Sequence, residues 1–227
     1  DIPCLTGPVH AEKVVSILSN EIVKNHEVVI ITLNKDDSFF PLDKRIKIIQ
    51  CGVYNRNGGF FSGLLSNFII IFRLIKIIKL NSIDHLICFM TTSNVLGIIT
   101  GKLLRKKVTI SERANPYFKD IGKWNILRKW FYRFADKLVV QSKEIKEYFL
   151  PYINDEKIHI IYNPVLEKKI DFSKKEKIIL NIGRCDKNKN QKLIIHSFSK
   201  IDNYDWKLII CGDGPLLKKL KELVASL

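Results

Sequence analysis

The chain has 227 residues, 46% of them hydrophobic and 27% charged, and a formal net charge of +15. Those proportions exclude collagen-like, low-complexity and wholly disordered chains, and the length allows one large domain or two small ones. The basic excess predicts an anionic partner, which nucleic acid, an anionic membrane or a phosphorylated substrate would each supply. In chain order, Val14, Val15, Leu18, Ile22 and Val23 recur at helical spacing, and HEVVIITL is a short β-rich run. KRIKIIQ, ending at Gln50, alternates like a strand with one wet face, and the NRNGG loop leads into a helix from about Phe61 to Leu80. DHLICFM then reads as a strand, TSNVLGIITGKLL as a helix, KKVTISE as a strand and Trp124 to Ala135 as a helix. DKLVVQS, KEIKEYFL and KIHIIYN continue as strand, helix, strand. This rhythm predicts a doubly wound α/β fold, a parallel sheet wrapped by helices.

After Asn163-Pro164 the stretch LEKKIDFSKKEK is polar and Lys-rich, which predicts a linker at 165–176 between an N-terminal domain (1–164) and a second α/β domain beginning at 177. There EKIILNIG is a strand, QKLIIHSFSKI a helix, DWKLIICG a strand, and PLLKKLKELVASL a helix with Pro215 in its first turn. Cys4, Cys51, Cys88, Cys185 and Cys211 form no CxxC pair; four of them lie in or beside apolar segments, as reduced, buried thiols do. The first ten residues lack an initiator Met and the features of a signal peptide, and the last helix simply stops, so the expectation is a fragment open at both ends. Phe68 to Leu80 is the longest apolar stretch, and Arg73, Lys76 and Lys79 break it well short of the roughly 18 residues a spanning helix needs.

Four segments could carry chemistry. GRCDKNKN (183–190) joins a strand to a helix, where backbone N–H groups and the helix dipole favour an anion; Arg184 and Lys189 would add two fixed cations suited to a diphosphate, or else be ordinary solvated charges. CGDGP (211–215) resembles the opening of a dinucleotide fingerprint without its third Gly, or is a tight turn that needs glycine. SERANP (111–116) puts Glu112 and Arg113 at the carboxyl end of a strand, where open α/β sheets bind ligands and where a surface ion pair is the plainer reading. In FRLIKIIKL, Arg73, Lys76 and Lys79 recur at i, i+3 and i+6 along an apolar helix, as on a membrane-surface or lipid-phosphate contact, or on a buried helix with one wet face.

Residues 101–150 hold 13 basic against 5 acidic side chains, with Trp124, Trp130, Phe131, Tyr132 and Phe134 among them. That allows a nucleic-acid surface, although aromatics at helical spacing usually pack in cores and no helix-turn-helix, RNP, KH or zinc-finger pattern is present. The histidines are isolated, and there is no HExxH, GxSxG or DxD, so neither a metal site nor a hydrolase triad is expected.

Taken in order, KKVTISERANP, FADKLVVQSKEIKEYF, IIYNPV, NIGRCDKNKNQKLIIHSF and WKLIICGDGPLLKKL, with the helix–strand units before them, resemble the GT-B retaining glycosyltransferases of family 4. The likeness is to the bacterial branch that extends polysaccharides or undecaprenyl-diphosphate-linked oligosaccharides. It implies two Rossmann-like domains with an active site in the cleft between them, no metal or other cofactor, and a UDP-sugar held mainly by the second domain. By that resemblance Arg184 and Lys189 hold the donor diphosphate and stabilise the leaving group, in a donor site completed by Gly7, Gly183, Asn190, Gly212 and Gly214. Glu112, Arg113 and Asn115 would line the acceptor pocket, and Arg73, Lys76 and Lys79 would meet an acceptor diphosphate. The family's pair of glutamates eight positions apart would fall beyond Leu227, and TGPVH stands where a Gly-Gly pair is common. The resulting expectation is a cytoplasmic enzyme, peripheral on the inner face of the membrane, with a lipid-linked or polysaccharide acceptor and no nucleic-acid partner. The alternatives are a truncated non-catalytic module that binds nucleotide or anionic membrane, a nucleotide-dependent oxidoreductase and a nucleic-acid binder.

Overall fold

The computed structural model describes residues 10–33, 40–52, 60–117, 122–164, 176–201 and 205–227. The chain divides into two compact units, one spanning Val9–Val165 and one containing Leu166–Leu227. The predicted linker at 165–176 lies almost wholly outside the described residues, as do Gly7 and the NRNGG loop.

The first unit opens with α1 (His10–Ile22), β1 (Val29–Thr32), β2 (Lys47–Gln50) and α2 (Phe60–Leu80). β1 and β2 pair in parallel, Val29 opposite Lys47. The inward face of α1 is more polar than its pattern predicts: Ala11, Val14, Ser16, Ser19 and Val23 are buried and Leu18 is exposed. Ser16 Oγ donates to the Pro41 carbonyl at 2.8 Å and Asn20 Oδ1 accepts from the Asp43 N–H at 2.8 Å, so side-chain hydrogen bonds fasten this helix where apolar contact does not.

The larger sheet follows: β3 (His85–Phe89), α3 (Thr91–Leu103), β4 (Lys107–Ser111), α4 (Lys123–Phe131), β5 (Lys137–Val140), α5 (Lys143–Phe149) and β6 (Ile158–Ile160). Its strands run parallel in the order β3-β4-β5-β6, each joined to the next through a helix or turn. Val108, Ile110, Leu138 and Val140 on the two central strands are fully buried, each contributing about 1.5–3 kcal/mol. Two glycines let α3 lie close on this sheet: a Cβ at Gly97 would sit 2.2 Å from Cys88 Sγ, and one at Gly101 would sit 2.3 Å from Val108 Cγ2. Burial pushes the Cys88 thiol up to about 12, which keeps it protonated and inert. The helix expected from Trp124 to Ala135 ends earlier, at Phe131, and tightens into a 3₁₀ turn over Tyr132–Phe134.

The second unit contains β7 (Ile178–Ile182), α6 (Gln191–Phe198), β8 (Lys207–Cys211) and α7 (Leu217–Ala225). Its two strands are parallel, Ile178 opposite Lys207, and its core gathers around Cys185, Ile195 and Leu220. Pro215 precedes α7 by two positions instead of sitting in its first turn, and the Leu216 N–H between them donates to the Cys185 carbonyl at 3.0 Å. Among the described residues no helix is long and apolar enough to cross a membrane.

Candidate active site: two loop clusters at strand ends

The first cluster lies at the carboxyl end of β4. The backbone N–H of Glu112 still donates to the Val139 carbonyl at 3.1 Å, so the ladder runs one residue past β4 and turns the Glu112 side chain into the protein. It is 0% exposed, which corrects the surface-ion-pair reading. Oε2 accepts from the Tyr132 hydroxyl at 2.7 Å and from Thr91 Oγ1 at 2.9 Å, while Arg128 Nη1 stands 3.9 Å away. Oε1 takes a longer bond, 3.4 Å, from the Ala114 N–H, and the Glu112 carbonyl accepts from Gln141 Nε2 at 2.8 Å. Arg128 is 1% exposed; its Nη2 donates to Asn125 Oδ1 and to the Tyr148 hydroxyl, both at 2.9 Å, and its guanidinium lies 5.1 Å from the Tyr148 ring centre. Asn94 Nδ2 completes the network on the Tyr132 hydroxyl at 2.8 Å and the Ser111 carbonyl at 3.1 Å. Burial first, and then the charge of Glu112, hold the Tyr132 phenol well above its ordinary value, so it stays a hydrogen-bond donor.

The carboxylate is thus enclosed by this network, and its contact with the turn above it is the Ala114 N–H. Arg113 is the turn's half-buried cation: its guanidinium sits 5.6 Å from the Phe89 ring centre and Nη1 donates to Asn163 Oδ1, while buried Nε has no partner among the described residues. Burial also lowers its pKa from the ordinary arginine value. Asn115 is exposed, and its Oδ1 accepts from the Tyr117 N–H at 3.0 Å. On α2, Lys76 and Lys79 are exposed, whereas Arg73 also donates through Nη1 to the Cys51 carbonyl and so ties its helix to the end of β2.

The second cluster is built from the loops after β7 and β8. Gly183 N–H donates to the Cys211 carbonyl and Cys185 N–H to the Asp213 carbonyl, both at 2.9 Å, which locks the two loops side by side. A Cβ on Gly212 would fall 1.9 Å from the Gly183 oxygen, and one on Gly214, whose φ is +155°, would fall 2.5 Å from the Cys185 oxygen. The close approach these glycines permit is thus loop to loop. Asp186 Oδ1 accepts from the N–H groups of Asn188 and Lys189 at 3.0 and 3.1 Å, and Gln191 Nε2 holds the Arg184 carbonyl at 3.0 Å. On this platform the Lys189 methylenes cover Gly183, and Arg184, with its side chain 71% exposed, stands 3.9 Å from Asp186. Asn190 takes a left-handed conformation at the start of α6.

Sequence reasoning passed over Arg128, Asn94 and Gln191, and took Tyr132 only as one of a group of aromatics expected to pack in the core. The available signal was phase: Arg128, Tyr132 and Ala135 share one face of the segment, and that face is the buried one.

Parallel strands with helical crossovers in two Rossmann-like units define the GT-B type of fold. The Anabaena protein Alr3699/HepE, solved with UDP and glucose, superposes with a TM-score of 0.74 at 15% identity, over 96% of this chain and 62% of that one. The lipopolysaccharide outer core galactosyltransferase WaaB superposes with a TM-score of 0.66 at 20% identity, over 97% of this chain and 61% of that one. The pattern defining Glycosyltransferase Family 4 matches residues 11–167, that of Glycosyl transferases group 1 matches residues 163–227, and the chain belongs to glycosyltransferase family 4. A Campylobacter jejuni enzyme named GalNAc-alpha-(1->4)-GalNAc-alpha-(1->3)-diNAcBac-PP-undecaprenol alpha-1,4-N-acetyl-D-galactosaminyltransferase is 30% identical, over 96% of this chain and 62% of its own length. A second enzyme of that organism, an N-acetylgalactosamine-N,N'-diacetylbacillosaminyl-diphospho-undecaprenol 4-alpha-N-acetylgalactosaminyltransferase, is 28% identical over 96% of this chain and 63% of its own length. The chain thus spans somewhat under two thirds of the length of these relatives.

Proposed function

We propose that the protein is a retaining glycosyltransferase that moves a hexose or N-acetylhexosamine from a UDP-sugar to an undecaprenyl-diphosphate-linked or polysaccharide acceptor at the inner face of the cytoplasmic membrane. The observation that carries this reading is the platform of 183–190 and 211–216, with Arg184 and Lys189 projecting from it beside the start of α6. Two cations on a rigid backbone suit a diphosphate. As the bond between the sugar's anomeric carbon and the β-phosphate oxygen breaks, negative charge grows on that oxygen, and pre-placed cations offset it without reorganising. Family membership and the acceptors in the names of the two Campylobacter relatives support the substrate classes. Arg113 and Asn115 would meet the acceptor, with Glu112 holding their turn in place, and Lys76 and Lys79, with Arg73, would face an acceptor diphosphate.

The test is calorimetric titration of the chain with UDP. Binding is expected, and Arg184→Ala or Lys189→Ala should each weaken it about 10- to 100-fold, the worth of one charge-assisted hydrogen bond of about 1.5–3 kcal/mol. Affinity for UDP unchanged in both variants would overturn the donor assignment.

A further inference from the structure

α4 packs Trp124, Leu127 and Phe131 against the core of the first unit and still leaves bulky apolar groups outside. Its inward side carries a charge, Arg128, followed by Tyr132, both inside the Glu112 network. Its outward side carries Ile126, Trp130 and, on the 3₁₀ turn that continues it, Phe134, which are 62%, 64% and 53% exposed. These positions follow one another at i, i+4 and i+8, so they form a single apolar stripe. A large aromatic and two other bulky apolar groups in line on the outside of a well-packed unit mark a surface made for contact. Its borders are cationic. Arg133 lies with its guanidinium 5.4 Å from the Trp130 ring centre, Lys129 stands over the Tyr152 ring at 5.3 Å, and Lys123 and Lys137 are exposed at either end. The one acid in this stretch, Asp136, is occupied by Lys102 Nζ at 2.8 Å.

We infer that this stripe is a membrane-docking surface that sets Trp130, Ile126 and Phe134 into the headgroup boundary of an anionic bilayer, with Arg133, Lys129, Lys123 and Lys137 on the lipid phosphates. An indole with an apolar body and a polar N–H suits that boundary, and a cation stacked on it can reach a phosphate while the ring stays in the acyl region. Charge complementarity selects the partner: a +15 chain that concentrates cations around an apolar stripe fits anionic lipid better than another protein's apolar groove. The stripe shares no residue with the 183–190 and 211–216 platform or with the Arg73, Lys76, Lys79 row; it rests on the inner-face reading above and is tested without nucleotide or acceptor, so its failure is distinguishable from a failure of sugar transfer.

The test is flotation of the full chain with vesicles of pure phosphatidylcholine and of phosphatidylcholine with about a third phosphatidylglycerol, with no nucleotide or acceptor present. Flotation with the anionic vesicles only, weakening as salt rises, is expected. Tryptophan emission should shift to the blue on binding, and Trp130→Phe should abolish that shift while leaving flotation largely intact. The triple variant Ile126→Ser, Trp130→Ser, Phe134→Ser should lose flotation at least tenfold with an unchanged thermal melt, since all three groups already face solvent. Arg73→Gln with Lys76→Gln and Lys79→Gln serves as the comparison set and should cost less. The inference is overturned if the α4 triple variant floats as well as the parent. It is equally overturned if no anionic vesicle is bound, or if the chain retains duplex or single-stranded nucleic acid through this stripe in preference to lipid.

Discussion

The turn after β4 and the loop after β7 look alike in sequence, each a short charged segment that follows an apolar strand, and the fold uses their charges in opposite ways. Glu112 is sealed under its turn with Arg128, Tyr132 and Thr91 as partners, so its charge serves the architecture. Arg184 and Lys189 stand in solvent outside a platform held by backbone hydrogen bonds and two closely packed glycines, so the fold does not use their charges in its own packing. The difference teaches that a charge at a strand end can be read as a binding group only once what pays for its burial, or its exposure, is known.

The most forceful way to break this contrast is to remove the buried charge. Glu112→Gln keeps an acceptor for Tyr132 and Thr91 but leaves the Arg128 charge buried without its counter-ion, and should destabilise the first unit by about 3–5 kcal/mol. Denaturant unfolding followed through Trp124 and Trp130 measures it. Glu112→Gln with Arg128→Met should recover much of that loss, because an apolar group of similar volume has no charge to strand. A double variant no more stable than the single one would show that the pair is not coupled through charge.

The platform breaks differently. Gly212→Ala drives a methyl group onto the Gly183 carbonyl oxygen, which is backbone and cannot swing aside, so the two loops must separate at a cost of about 1–3 kcal/mol. Hydrogen exchange at the Gly183 and Cys185 amides, which donate across the gap, should quicken with it. Arg184→Ala, by contrast, should change stability by less than about 0.5 kcal/mol, because the side chain is largely solvated and its 3.9 Å contact with Asp186 is weak. A large destabilisation there would mean that the cation is structural after all, and the contrast between the two clusters would fail.

How much of this was legible in the sequence follows from the same physics. The strand and helix order is set by local periodicity, so β1 to β8 and α1 to α7 fall where the apolar runs put them, to within a few residues. Motif spacing likewise brought Gly183, Arg184 and Lys189 to one loop. Burial of a charge is another matter, since it depends on partners far along the chain: Glu112 meets Thr91, 21 positions back, and Tyr132, 20 positions on. No local window contains that information. The aromatics of 124–134 divide for the same reason, Tyr132 into the core and Trp130 and Phe134 outward, because Arg128 claims the inward face once Glu112 is there to receive it. The expectation of core packing for that whole group holds for Tyr132 and not for Trp130 or Phe134. Gly212 and Gly214 were legible as a turn that needs glycine, and the structure adds that both also let the neighbouring loop approach.

The smallest expected effect belongs to a third kind of charge, half-exposed and built into a strand start. Asp136 Oδ2 accepts from the Val108 N–H at 2.7 Å, and Lys102 Nζ donates to Oδ1 and Oδ2 at 2.9 and 2.8 Å, so this carboxylate joins the beginnings of β4 and β5 to the end of α3. Burial pushes its pKa up, but the hydrogen bonds from Lys102 and Val108 and the charges of Lys102 and Lys157 together outweigh it, and the folded value lies below the ordinary one. A carboxyl depressed in this way stabilises the fold fully above its unfolded pKa of about 3.9, and the contribution disappears as pH falls through the folded value. Because both partners are well solvated, the effect should not exceed about 1 kcal/mol. Asp136→Asn should accordingly lower stability slightly at neutral pH and make the parent and variant converge in urea titrations run at progressively lower pH. Curves that stayed parallel down to about pH 2 would mean that the carboxylate's charge contributes nothing, leaving the Val108 hydrogen bond, which asparagine can also accept, as its only part in the sheet.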